Sequence, residues 1–149
     1  MVYKIASPEE TEALGKKLGD TLIQNKIKRA FITLDGEMGV GKTVFTRGFA
    51  SAFGIKGVKS PTYTIVNEYR CAGNRIFHFD LYRIEDYLDL ESIGFDDYVR
   101  SDGYSIAEWS IRVPKEIPDD AIRVRISRLP DDTEAREIDI SGIELLAST

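Results

Sequence analysis

The sequence predicts an α/β fold, a single domain spanning residues 1–149 with a mixed parallel and antiparallel sheet flanked by helices. Three observations predict it. Apolar, β-rich runs alternate with segments of helical periodicity, a glycine-rich octet stands between one such run and a helix, and the C-terminal part alternates apolar with charged residues. A chain of about this length buries roughly 70% of its unfolded surface, so its core needs no disulfide or metal to hold it.

Ser7-Pro8-Glu9-Glu10 reads as a helix start, with Ser7 as the cap, Pro8 at the first helical position and Glu10 completing a capping box. Leu14, Leu18 and Leu22 continue it at helical spacing, although Gly15 and Gly19 each cost about 1 kcal/mol relative to Ala. Ala30 to Leu34 is a strand ending at Asp35, and Phe45, Phe49, Ala52 and Phe53 mark a helix that stops at Gly54. Tyr63 to Arg70 and Arg75 to Tyr82 read as strands joined through Cys71-Ala72-Gly73-Asn74. Two short helices follow, divided near Gly94, and then a short strand from Tyr104 to Glu108. Ile122, Val124 and Ile126, and later Ile138 and Ile140, alternate with polar neighbours as a half-exposed antiparallel pair does.

The octet Gly36-Glu37-Met38-Gly39-Val40-Gly41-Lys42-Thr43 matches G-x-x-x-x-G-K-[ST] at every fixed position, between a strand and a helix as a P-loop requires. Its glycines let the backbone close around phosphate, and the following helix adds the positive end of its dipole. Lys42 is the candidate for the β- and γ-phosphates and Thr43 for Mg²⁺, with Val44 next in line along the helix. The fold expected is therefore that of a P-loop NTPase, with ATP and Mg²⁺ as cofactors.

Magnesium needs carboxylate support, and two apolar runs end in an acid: Arg75 to Phe79 leads into Asp80, and Tyr104 to Ala107 into Glu108. In an open α/β sheet the ligand lies beyond the carboxyl ends of the strands, so one acid is expected to hold the metal and the other to orient the attacking water. His78, the only histidine, shares a strand face with Asp80 and reads as a hydrogen-bonded packing residue rather than a catalyst. Trp109 reads equally as a core aromatic or as a platform beside the nucleotide. Arg123 and Arg125 read as a solvated strand face rather than an RNA contact. No Asn-Lys-x-Asp follows the octet, since Asn25-Lys26-Ile27-Lys28 precedes it and ends in lysine, so GTP is not supported.

The net charge of −5 argues against a nucleic-acid-binding domain relying on its own basic surface. Between Asp80 and Asp102 eight acids face two arginines, which reads as solvated helix faces or as a docking patch for a basic partner. The single cysteine, Cys71, excludes an internal disulfide and suits a reducing compartment. Met1 to Ser7 lacks the features of a signal peptide and no apolar run approaches a membrane span, so a soluble cytoplasmic protein is expected.

With the octet come Ser60-Pro61-Thr62-Tyr63-Thr64, Val66-Asn67-Glu68-Tyr69, His78-Phe79-Asp80-Leu81-Tyr82-Arg83 and Glu108-Trp109, in that order. This ordered set resembles the TsaE (YjeE) ATPases of bacterial tRNA threonylcarbamoyladenosine biosynthesis over nearly the whole chain. The resemblance implies a role beside TsaB and TsaD in modifying adenosine 37 of tRNAs that read codons beginning with A, with tRNA reached through the complex. It implies that Lys42 and Thr43 are the phosphate and magnesium residues, Thr62 a switch-like threonine, and Asp80 and Glu108 the catalytic and metal-supporting acids. Glu37, Val44 and the run Glu85-Asp86-Tyr87-Leu88 depart from the family's usual Asp, Thr and Asp-Pro-Glu-Glu. Small-molecule kinases and nucleotide sensors share the P-loop, although a kinase also needs an acceptor pocket and an arginine-bearing lid for which 149 residues leave little room.

Overall fold

The computed structural model describes residues 1–61, 65–130 and 134–147. In chain order the elements are β1 (Val2–Ile5), α1 (Pro8–Gln24), β2 (Arg29–Asp35), α2 (Lys42–Ser51), β3 (Val66–Cys71), β4 (Asn74–Asp80), α3 (Tyr87–Ser92), α4 (Phe95–Arg100), β5 (Gly103–Glu108), β6 (Ile122–Arg128) and β7 (Arg136–Ser141). Two short 3₁₀ turns, Ser110–Arg112 and Pro114–Glu116, lie between β5 and β6.

Seven strands form one sheet in the order β1-β7-β6-β2-β5-β4-β3. The central four, β6, β2, β5 and β4, run parallel, while β3 and the pair β7 and β1 close the two edges antiparallel. This is the mixed α/β sheet read from the sequence. The central strands are buried on both faces, and period-two alternation divides their side chains between two apolar layers. Ile32, Leu34, Ile76, Ile106 and Val124 pack with Leu14, Leu18, Leu22, Phe45 and Phe49 of α1 and α2. Phe31, Phe77, Phe79 and Ala107 pack on the other side with Leu90, Phe95, Val113 and Ile117.

Ser7 caps α1, its Oγ accepting from the Glu10 amide at 3.3 Å, and Glu10 answers by accepting from the Ala6 amide at 2.7 Å, one residue before the position a strict capping box uses. The glycines that weaken α1 locally have a tertiary use. A Cβ on Gly15 would stand 2.2 Å from the Phe45 carbonyl oxygen, and one on Gly48 of α2 would stand 1.9 Å from that of Glu12. The two helices thus touch backbone to backbone, which pins α2 and the loop preceding it against α1.

Some boundaries differ from the sequence reading. Cys71 pairs with Asn74, so the β3–β4 turn is only Ala72-Gly73, both at positive φ as a two-residue hairpin of this hand requires. β4 ends at Asp80 because the chain turns there, the Asp80 carboxylate accepting from the Tyr82 amide. β1 has no counterpart in the sequence reading. Tyr63, Thr64 and the candidate switch residue Thr62 lie outside the described residues.

Candidate functional site

β2 delivers the chain to the octet, and α2 starts within it at Lys42. Gly39 and Gly41 take φ values of 72° and 120°, left-handed conformations that a side chain would strain, and Gly41 stands as the N-cap of α2 without a side-chain cap. The first amides of α2 are thereby left directed at the space above the loop, where an anion is favoured. Two arginines from the far hairpin steady the loop from behind. Arg128 donates to the Met38 and Gly39 carbonyls at 3.4 and 3.1 Å, and Arg136 Nε to the Val40 carbonyl at 2.9 Å.

Lys42 is buried, its ammonium donating to the Gly36 carbonyl at 2.8 Å and lying 3.5 Å from Glu108 Oε1. Glu108 is buried too, and its second oxygen lies 2.6 Å from His78 Nε2. His78 is fully buried, and its Nδ1 finds no hydrogen-bond partner among the described residues. An imidazole in that setting satisfies the carboxylate best as the Nε2–H tautomer, leaving Nδ1 as a bare lone pair. Asp80 stands level with Glu108, as the two are paired in the parallel β4–β5 register. Alternation along the strands puts both acids and His78 on the α2 face of the sheet. The Thr43 and Ser60 hydroxyls are hydrogen-bonded to each other beside them.

A cavity of about 480 Å³ gathers Met38, Gly39, Gly41, Lys42, Thr43, Val44, Ser60, Asp80, Glu108 and Trp109. Two hydroxyls and two carboxylates beside a buried ammonium and a glycine-lined cradle suit a hard divalent cation bridged to phosphate, because Mg²⁺ takes one or two carboxylates and draws its other ligands from phosphate and water. Trp109 walls this cavity. It adopts a left-handed φ of 61°, its ring lies 4.9 Å from the Lys42 ammonium, and it stacks edge-on with Tyr82 at 4.9 Å. It also packs on the second apolar layer, as the reading of a partly buried core aromatic expects.

Not every predicted residue meets there. Gly36 and Glu37 instead line a separate cavity of about 440 Å³ that also has Trp109 in its wall, with Asp35, Ser110, Arg123 and Arg125. Burial pushes the Asp35 carboxyl above its usual range, against the opposing pull of the Ser110 hydrogen bond and the nearby Arg125, Arg123 and Lys42 charges. Val40 lines a third cavity, beside α1. Ser60 belongs to a segment the resemblance singles out, though without a role of its own, whereas Arg128 and Arg136 escape a local reading because nothing in their own segments points to the loop. His78 is a hydrogen-bonded packing residue, as its strand position predicts, but its partner is a candidate acid.

The model of the family described as threonylcarbamoyl adenosine biosynthesis protein TsaE matches residues 5–138. This chain belongs to the TsaE family. It is 41% identical to the tRNA threonylcarbamoyladenosine biosynthesis protein TsaE of Haemophilus influenzae over 146 residues, covering 95% of this chain and 87% of that protein. It is 36% identical to the TsaE of Bacillus subtilis, covering 95% and 85%. Among solved structures it is similar to the crystal structure of Bacillus subtilis YdiB, with a TM-score of 0.75 at 30% identity, over 94% of this chain and 83% of that one. The chain thus has a P-loop fold, as that neighbour has. No helix among the described residues is long and apolar enough to cross a membrane.

Proposed function

We propose that this TsaE-family chain binds ATP with Mg²⁺ at the Gly36–Thr43 loop and hydrolyses it to ADP and phosphate. In this reading the hydrolysis supports TsaB and TsaD in the cytoplasm as they form N6-threonylcarbamoyladenosine at position 37 of tRNAs reading ANN codons, and the chain reaches tRNA through that complex. One observation supports it above the rest: Lys42, Thr43, Asp80 and Glu108 converge on one cavity at the carboxyl ends of adjacent parallel strands.

The roles follow from position. Loop amides bind phosphate oxygens, and the Lys42 ammonium offsets charge on the phosphoryl group being transferred. Glu108 sits on the strand next to the loop strand, with one oxygen held by His78 and the other facing Lys42, so it is suited to hold magnesium together with Thr43, directly or through water. Asp80, half-buried one strand further out, is suited to orient the attacking water. A magnesium ion held by Thr43 and Glu108 would supply charge neutralisation for the phosphates. Trp109 shields the Lys42 side of the cavity from water.

The site has one evident shortage. Among the described residues that line the phosphate cavity, Lys42 is the only cation. Arg47 is exposed on α2, and Arg112 lies over the Tyr82 ring at 5.2 Å. A phosphoryl-transfer site without a further cation commonly turns over more slowly by about 10³- to 10⁵-fold. Slow hydrolysis alone and acceleration by TsaB–TsaD are therefore expected. The test is steady-state phosphate release by the pure chain, by the chain with TsaB–TsaD, and by that complex with Glu108→Gln. Acceleration abolished by the substitution supports the reading, and an unchanged rate in the complex removes the partner from it.

A further inference from the structure

The separate cavity of about 440 Å³ contains none of Lys42, Thr43, Asp80 and Glu108. Its wall divides by chemistry. Asp35 at the end of β2, Glu37 just beyond it, and Arg123 and Arg125 of β6 supply two charges of each sign, while the segment after β5 supplies Trp109, Ile111, Pro114 and Ile117. The parallel β2–β6 register pairs Asp35 with Arg125, and Arg123 stands two residues earlier on the same face. The charged side therefore belongs to the sheet and the apolar side to the segment packed over that face.

These charges do not satisfy one another. Among the described residues neither guanidinium makes a hydrogen bond or an ion pair, and Asp139, opposite Arg125 on β7, faces the Met1 ammonium at 3.6 Å instead. The half-buried Asp35 carboxylate accepts from Ser110 Oγ at 3.3 Å and has no cation in contact. Opposite charges that share a cavity without pairing suit a guest that carries both signs.

An α-amino acid divides its chemistry in the same way, with a carboxylate and an ammonium on one carbon and the side chain leading away from both. Guanidiniums donate in pairs to a carboxylate, and carboxylates accept from an ammonium. The remaining wall is apolar and uncovered, since Ile111 is 75% exposed and Pro114 is exposed beside it. The cavity falls in the usual size range for a small-molecule site. A nucleoside polyphosphate would meet Asp35 and Glu37, which repel it, and a hydrocarbon would leave four charges unpaired.

We infer that this cavity binds a free α-amino acid with an apolar side chain, Arg123 and Arg125 taking its carboxylate, Asp35 and Glu37 its ammonium, and Trp109, Ile111, Pro114 and Ile117 its side chain. The site lies outside the phosphate cavity and its occupancy can be read without nucleotide, so its test does not depend on hydrolysis.

The test is a backbone-amide NMR titration of the full chain with L-phenylalanine, in the absence of nucleotide. The amides of Glu37, Ser110 and Ile111 should shift saturably, and those of Thr43 and Val44 should stay in place. Two analogues each remove one charge: 3-phenylpropanoate lacks the ammonium and phenethylamine the carboxylate. Both should bind at least about tenfold more weakly, the loss expected for one charge-assisted hydrogen bond. Arg125→Gln and Asp35→Asn should weaken L-phenylalanine by about as much, with the remaining resonances showing that each variant is folded. If a variant does not fold, the two analogues decide on wild type alone. No shift up to the solubility limit of L-phenylalanine overturns the site. An analogue that binds as tightly as L-phenylalanine overturns the pairing of both charges, and unchanged affinity in both folded variants overturns the assignment to this cavity.

Discussion

His78 Nε2 and Glu108 Oε2 lie 2.6 Å apart, a buried contact between neighbouring strands and between residues 30 positions apart in the chain. It fixes one oxygen of Glu108 while the other faces the Lys42 ammonium. The carboxylate is therefore set in place by groups on either side of it before any ligand arrives.

His78→Leu should expose the value of that contact. It leaves a buried carboxylate oxygen without its donor, at a cost of about 1–3 kcal/mol in stability. Turnover should fall about ten- to hundredfold, the usual loss for a residue that orients a metal-supporting ligand, with KM for ATP changed much less. His78→Gln, which can place an amide donor near the same point, should recover most of kcat. Equal losses in both variants would mean that the ring matters for packing alone.

Gly48→Ala tests how α2 is seated. The added Cβ would fall 1.9 Å from the Glu12 carbonyl, a backbone atom that cannot rotate aside, so the helices must separate. A loss of about 1–3 kcal/mol is expected from urea unfolding, together with weaker nucleotide binding because the loop is built onto α2. Wild-type stability in this variant would show that the helices approach less closely than described.

Trp109 is the only tryptophan, and its ring lies 4.9 Å from the Lys42 ammonium. Saturating Mg-ADP should change its emission, because phosphate arriving at Lys42 alters the field across the indole. Lys42→Ala should lose the response at the same nucleotide concentration. A wild-type spectrum that stays constant at proven saturation would contradict the placement of the β5 end.

Asp35 gives a prediction in pH. Burial raises its folded pKa above 3.8, so the folded state keeps this proton after the unfolded state has released it. Stability from this group is therefore lost as pH rises from about 3.8 through the raised folded value, and is constant above it. Asp35→Asn, which does not ionise, should gain on wild type across that interval in urea unfolding from pH 3 to 7. A variant that falls further behind as pH rises would mean that Arg123 and Arg125 outweigh burial.

The legible parts of this molecule were those whose physics is local. The octet, the Ser7 cap and the acids at the ends of β4 and β5 each carry a pattern within a few residues, and the sheet follows from the alternation around them. β1 was missed because Val2–Ile5 is four residues long and has its bonds with β7, at the other end of the chain. Gly15 read as a weakness of α1 because propensity scores a helix alone, whereas its use lies in α2. Likewise nothing near Arg128 and Arg136 in the sequence points to the loop carbonyls they hold, roughly 90 residues earlier. Each miss is a contact between distant segments, and no short window of sequence contains both partners.

The most direct test of the account is Mg²⁺-dependent phosphate release from ATP by wild type and by Lys42→Ala. The central claim places the Lys42 ammonium on the phosphoryl group that is transferred. Removing such a clamp, worth about 4 kcal/mol, should slow release a thousandfold or more while the protein stays folded. A Lys42→Ala rate within tenfold of wild type would contradict it.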